Sequence, residues 1–423
     1  MTTKVCEKQL SEIWRRQRFG GALTTEGGEP VEIVYPGRSN DGRGGDFCDA
    51  VIAFPGRTAR GDVELHVRSG DWRNHGHDRD PHYNNVVLHV VYSSNNECPT
   101  TLENGETAPV LALDRYLAAG RGQGRPCIGV LKRTGKRRVA RILEDAGDER
   151  FARKAEELLQ ELMSIGPGQT LYQAVMKALG YARNKAPFLE LSRRVPLAAL
   201  ECSGGRSDGF RRETEALLLN ASGLAAADAK ACSDDSESMR QATGILSMNA
   251  GQWEARARPG NSPRARIRAM SGLLERYYPA GLLRGLLDEV MKAVPQRDGV
   301  VSIEEALMVG PDEASESHAD GKAAGLLGRG RAGEIAVNVL LPFAHAYGRS
   351  SSDSEMMGKA VALFCVWPRL ESNCVERHMM AQTGLTRAEV KSARHQQGLM
   401  AVYATLCIRG RCGACPLGKP QSG

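Results

Sequence analysis

The run Asp62 to Arg68, DVELHVR, constrains the fold most tightly, because Val63, Leu65 and Val67 alternate there with Glu64, His66 and Arg68. Alternation with a period of two marks a half-buried strand, since successive side chains point to opposite faces of a sheet. Glu64 and His66 therefore share a face, with the apolar residues on the other. A carboxylate and an imidazole in that position need solvent, hydrogen bonds or a cation to receive them. The surrounding stretch, Gly44 to Val91, is rich in such groups. Five of the nine histidines fall in it, His66, His75, His77, His82 and His89, together with Asp46, Asp49, Glu64, Asp71, Asp78 and Asp80.

Cys48 to Phe54 reads as the preceding strand, and Pro55-Gly56 as the turn of a hairpin. That hairpin carries Asp46 to the mouth of its strand, where it can converge with Glu64 on one cation. Paired carboxylates suit a hard divalent ion, Mg2+ or Mn2+. His66, His75 and His77 with Asp46 form an alternative set that suits zinc or manganese. Val86 to Tyr92 is apolar on both faces, as an interior strand is; His89 on it reads as a hydrogen-bonded core residue and a lesser candidate for the site.

The pattern GDF, a gap, then VELH resembles the active-site pattern of the PD-(D/E)XK nuclease superfamily, Pro-Asp before one strand and Glu-X-Lys on the next. The order of elements is similar as well. An amphipathic helix at Glu7 to Arg18, strands at Val31 to Tyr35, Phe47 to Phe54 and Asp62 to Arg68, a polar or helical crossover and a strand at Val86 to Tyr92 give αβββαβ, a restriction-endonuclease-like α/β core. The resemblance implies that Asp46 and Glu64 are metal ligands and that His66 holds the place of the lysine. Gly45 stands where the superfamily has proline. From IWRRQRF through DWRNHGHDRDPHYNNVVLHVV to HQQGLM and the terminal cysteines, the sequence is also similar to a bacterial family catalogued only as a domain of unknown function.

The remainder bears on organisation and partners. With 423 residues, two or three domains are expected. A Gly- and Arg-rich stretch, Arg121 to Arg138, sets the expected boundary near residue 130: a nuclease-like domain over 1–130 and a mostly helical domain over 131–423. In the latter, apolar residues recur at spacings of three and four. The net charge of +6 is compatible with nucleic acid without arguing for it, since clustering matters more than the total. One cluster exists: Arg256, Arg258, Arg264, Arg266 and Arg268 surround two prolines, a candidate phosphate-binding segment. No apolar leader opens the chain and no run approaches the length of a membrane span, so a cytoplasmic location without a membrane partner is expected.

Eleven cysteines, an odd number, argue against a disulfide framework. Cys407, Cys412 and Cys415, spaced C-x4-C-x2-C, can bind one metal centre, with Cys374 the first candidate for a fourth ligand and His378 or Cys365 the alternatives. Zinc and a [4Fe-4S] cluster both fit four such ligands. Three functional readings follow: a Mg2+- or Mn2+-dependent nuclease using Asp46, Glu64 and His66; a module on the same fold that binds nucleic acid or protein without chemistry; and a histidine-rich zinc or manganese hydrolase.

Overall fold

The computed structural model describes residues 5–94, 99–119, 127–181, 183–202, 209–225, 245–254, 261–310 and 325–418. The chain forms two compact units, the first comprising residues 1–147, 372–391 and 395–423, the second residues 148–371 and 392–394. The first unit thus runs past the expected boundary near 130 and takes in the C-terminal cysteines, which the sequence reading had grouped with the helical domain.

The first unit is built on a mixed sheet. Helix α1 (Glu7–Arg16) precedes strands β1 (Leu23–Thr24), β2 (Pro30–Tyr35), β3 (Arg38–Ser39), β4 (Phe47–Phe54) and β5 (Arg57–Arg68). A short helix α2 (Asp71–Asn74) and two 3-10 turns, His77–Arg79 and Pro81–Tyr83, lead to β6 (Val86–Ser93); β7 (Thr100–Thr101), β8 (Thr107–Ala108) and β9 (Val110–Ala112) follow. The sheet order is β1-β2-β4-β5-β6-β9, with β3 paired to β4 and β7-β8 a separate ribbon. Strands β2, β4 and β5 are antiparallel neighbours, whereas β5-β6 and β6-β9 are parallel.

Alternation dictates which residues fill which side. Leu10 and Trp14 of α1 pack with Val31, Ile52, Val63, Leu65, Leu88 and Val90 in one core. Tyr35 and Val51, pointing the other way, meet Met379, Leu399, Val402, Tyr403 and Leu417 from the C-terminal segments in a second. The β4-β5 hairpin closes through Pro55 and Gly56, with Phe54 opposite Arg57, and its register places Phe47 opposite Val63. A bulge interrupts the register between Phe47 and Ala50, where Asp49 takes a left-handed conformation with φ of 63°. Its carboxylate accepts a hydrogen bond of 2.5 Å from Tyr403 Oη.

The second unit is mostly helical, with helices that include Pro167–Leu179, Lys185–Arg194, Phe210–Ser222, Pro263–Arg276, Leu282–Lys292, Leu341–Ser350 and Ser354–Val366. They bury one continuous core of its own. No helix among the described residues is long and apolar enough to cross a membrane.

Candidate metal centre

The β4-β5 register brings Asp46, immediately before β4, beside Glu64 on β5. The Asp46 backbone N–H donates to Glu64 Oε2 at 2.9 Å, and the Leu65 N–H donates to Asp46 Oδ2 at 3.1 Å. This reciprocal pair pins Glu64 with its other oxygen turned toward the histidines. Gly45 makes the approach feasible: a Cβ there would lie 2.8 Å from Asp62 Cβ and 3.1 Å from the Val63 carbonyl oxygen, so any larger residue would push β5 away.

Glu64 Oε1 faces histidines. His77 Nε2 lies 3.3 Å from it and His66 Nε2 3.7 Å. His66 Nε2 is in turn 3.1 Å from His75 Nδ1, and His66, His75 and His77 each offer a nitrogen within 4.8 Å of the others. On its far side His66 Nδ1 meets His89 Nε2 at 2.9 Å, and His89 Nδ1 meets Thr100 Oγ1 at 2.7 Å. His89 is fully buried, as an interior strand position requires, and yet belongs to the cluster. The crossover between β5 and β6 supplies His75 and His77 and also the packing that holds them. Trp72 lies 5.3 Å from both His77 and His89 between ring centroids, and Tyr83 lies over His77 at 3.8 Å.

Burial sets the charge states. Desolvation, reinforced by the Glu64 carboxylate, pushes the Asp46 carboxyl up to about 7. Desolvation, with His89, His77 and His75 adding to it, pushes His66 down to about 2; burial and His77 push His89 down to about 3. His66 is therefore a neutral imidazole at physiological pH and cannot supply the positive charge of a lysine in its place. With Nδ1 held against His89 Nε2, the His66 ring turns its Nε2 toward His75 and Glu64, the edge a metal ligand must present. For a tetrahedral zinc ion with bonds near 2.0–2.1 Å, ligand atoms stand about 3.3 Å apart. The 3.1 Å between His66 and His75 and the 3.3 Å between His77 and Glu64 are of that size, but the atoms that all lie within 4.8 Å of one another belong to His66, His75 and His77, with Glu64 beside that group. Three imidazoles and a carboxylate suit zinc or manganese better than magnesium, which prefers an all-oxygen shell.

The remaining sequence candidates are dispersed. Cys407, Cys412 and Cys415 do come together, but with Cys127 rather than Cys374 around the same small cavity. Cys374, exposed at the start of helix Cys374–Thr383, has Arg38 as a charged neighbour. His378, the second alternative, is bonded to Tyr35 Oη at 2.5 Å, and Cys365 belongs to the second unit. Arg256 and Arg258 lie outside the described residues. Arg266 is 5% exposed, with its guanidinium on the Leu326 carbonyl, Tyr181 Oη and Asn261. Arg264 donates to the Leu224 carbonyl at 2.6 Å, and Arg268 pairs with Glu215 at 2.9 Å. A guanidinium buried on protein carbonyls, as Arg266 is, cannot reach a phosphate, so the phosphate-binding reading fails for it.

Thr100, Trp72 and Tyr83 escaped the sequence reading. Trp72 and Tyr83 left a signal, two aromatics interleaved with the histidines of the crossover; Thr100 left none. No curated protein and no solved structure matches the chain. Residues 7–371 match the family model described as "Protein of unknown function (DUF2851)", and the chain belongs to that family.

Proposed function

We propose that the chain is a divalent-metal-dependent hydrolase of phosphodiester bonds, with nucleic acid as its substrate class. One observation carries this reading: three imidazole nitrogens converge beside a buried carboxylate whose second oxygen is pinned. Glu64, His66, His75 and His77 would hold the ion. A bound divalent ion would polarise a phosphoryl oxygen and lower the pKa of an attacking water.

The protein's own groups divide the remaining work. The Asp46 N–H fixes Glu64, and the chain Thr100, His89, His66 holds the His66 ring in place. Trp72 packs against His66, His77 and His89, and Tyr83 against His77, which holds those rings. Asp46, held beside Glu64 by the reciprocal hydrogen bonds, would be the group placed to exchange a proton there. Support for nucleic acid as substrate comes from the position of Asp46 and Glu64, one before a strand and one on its antiparallel neighbour, with a parallel strand beyond. That is the placement of the carboxylates in the nuclease superfamily the sequence resembles. The engagement of Arg264, Arg266 and Arg268 within the protein favours, as a second reading, a histidine-rich hydrolase of a small phosphodiester that needs no extended basic surface.

The test is cleavage of labelled single- and double-stranded DNA and RNA, and of a small chromogenic phosphodiester, with Mg2+, Mn2+ and Zn2+. Activity on nucleic acid, stronger with Mn2+ or Zn2+ than with Mg2+, is expected. It should fall by about 10²-fold or more in Glu64→Gln and in His66→Gln, as loss of a ligand requires. Cleavage of only the small ester selects the second reading. A metal-loaded protein inactive on all of them refutes both.

A further inference from the structure

We infer that Arg43, Arg68, Arg73 and Arg79 form a phosphate-contacting rim around the histidine cluster, and that the substrate received there is a polynucleotide strand rather than a small ester. The inference rests on the reading of that cluster as a metal centre for phosphodiester hydrolysis. Each arginine stands two or three residues from a group of the site: Arg43 before Asp46, Arg68 after His66, Arg73 before His75 and Arg79 after His77. All four are exposed. Arg68 follows His66 along β5 at the strand period of two, so it continues the face that carries Glu64 and His66. Arg73 lies on α2, where the Gly76 N–H donates to its carbonyl at 3.0 Å as the chain turns to bring in His75 and His77. Arg79 closes the 3-10 turn that begins at His77, with its side chain 88% exposed. Arg43 comes from the loop between β3 and β4. Gly44, with φ of 86°, sets that loop against the crossover, for a Cβ on it would lie 2.8 Å from the His82 carbonyl oxygen.

The sequence of the crossover interleaves arginines with carboxylates, and the fold sorts them. Asp71 accepts from the Arg68 N–H at 3.1 Å and from Asn74 Nδ2 at 3.3 Å. Asp80 accepts from the His82 N–H at 3.0 Å, and its same oxygen lies 2.6 Å from the His82 ring Nδ1. These two carboxylates are thus committed within the crossover. Among the described residues, Arg43, Arg68 and Arg73 form no salt bridge, and Arg79 reaches only Asp78, at 3.6 Å. An exposed pair of that kind contributes little and yields readily to a better partner. A guanidinium without a carboxylate can offer two parallel donors to one phosphate. Arg264, Arg266 and Arg268 are engaged by the protein's own groups, whereas these four point their charge at solvent beside the metal centre itself. A small ester needs only the ion. Four cations distributed around the centre suit successive phosphates of a strand, which fix its register while the ion acts on one of them.

The experiment measures binding of a labelled oligonucleotide, single-stranded and as a duplex, to the full chain in EDTA across a salt series. Four phosphate contacts predict a slope of log affinity against log salt of about −3 to −4. Arg43→Gln, Arg68→Gln, Arg73→Gln and Arg79→Gln should each flatten it by about 0.7–0.9, a loss of about 5- to 8-fold in affinity at about 0.1 M salt, and the quadruple variant should leave it nearly flat. Arg284→Gln, at an exposed arginine of the second unit, should change neither slope nor affinity. With metal, the quadruple variant should lose kcat/KM on the oligonucleotide and keep it on the small chromogenic ester. Salt-dependent binding that the rim variants abolish, in a chain that cleaves nothing, keeps the rim as a binding surface and refutes the hydrolase. No binding by the wild type, an unchanged slope in the quadruple variant, or an equal loss in Arg284→Gln overturns the rim, while cleavage of the small ester would still uphold the hydrolase.

Discussion

Asp46 is partly buried and shares its corner with Glu64, and both burial and that neighbour disfavour its charge. Its carboxyl is raised from near 4 to about 7, so the metal-free fold binds a proton there that the unfolded chain releases. The sign follows by linkage: the folded state is favoured below pH 4, and the advantage is lost as pH rises through 7. His66 and His89, held below their ordinary range, act with the opposite sign and lower stability on acidification below about 6.5. Replacing Asp46 isolates the first effect, because both histidines remain. Asp46→Asn, which can still accept from Leu65, should stabilise the metal-free chain at pH 8 by about 1–3 kcal/mol, after allowance for partial solvent screening. The gain should vanish by pH 4. Urea midpoints of the two proteins across that range check it; an equal gain at both ends would mean that packing, not charge, is responsible. At this scale the sequence was informative where chemistry and local periodicity coincide. Glu64, His66 and Asp46 announce themselves through alternation and a hairpin turn. Cys127 reaches the C-terminal cysteines, and Thr100 the histidine cluster, through contacts closed by tertiary packing, which no short-range pattern encodes.

Elements were legible to the extent that their patterning is local. The hairpin of β4 and β5, the α1 helix and the β6 strand stand where alternation and the Pro55-Gly56 turn put them. Strand β5 begins at Arg57 rather than Asp62, because the polar stretch Arg57–Arg60 pairs through its backbone with β4 and needs no apolar residue to do so. Strand β9 is too short to show a period, and its place at the sheet edge comes from parallel pairing with β6. The C-terminal helix Ala393–Thr405 illustrates a different constraint. A Cβ on Gly398 would lie 2.0 Å from the Leu143 carbonyl oxygen, a backbone atom that cannot yield as a side chain would. Alanine gains up to about 1 kcal/mol over glycine in helix propensity. Overpacking typically costs about 1–3 kcal/mol. Gly398→Ala should therefore be net destabilising by about 1–2 kcal/mol, measurable as a lowered thermal midpoint. A raised midpoint would mean that the two segments separate without cost and that the close approach contributes little.

The whole chain departs most from a linear reading in how the first unit is completed. Hydropathy and composition suggest a compact N-terminal domain followed by a second domain, since consecutive segments usually pack together. Instead, residues 372–391 and 395–423 belong with residues 1–147. Tyr35 and Val51 leave the sheet on the side away from α1, and their cover is Met379, Leu385, Leu399, Val402, Tyr403 and Leu417. The matched family span ends at residue 371, before every one of those covering residues. A chain ending at Glu371 would expose that face, leave Asp49 at the β4 bulge without Tyr403, and remove the three C-terminal cysteines that line a cavity with Cys127. Losing six large apolar side chains from one core removes burial worth about 1.5–3 kcal/mol each, together comparable with the 5–15 kcal/mol by which a typical domain is stable. The truncated chain should thus lose hydrogen-exchange protection across β4 and β5, while helices of the second unit, whose core is their own, retain theirs. Native protection of β4 and β5 in that shortened chain would mean that the sheet is self-sufficient and that the C-terminal segment only decorates it.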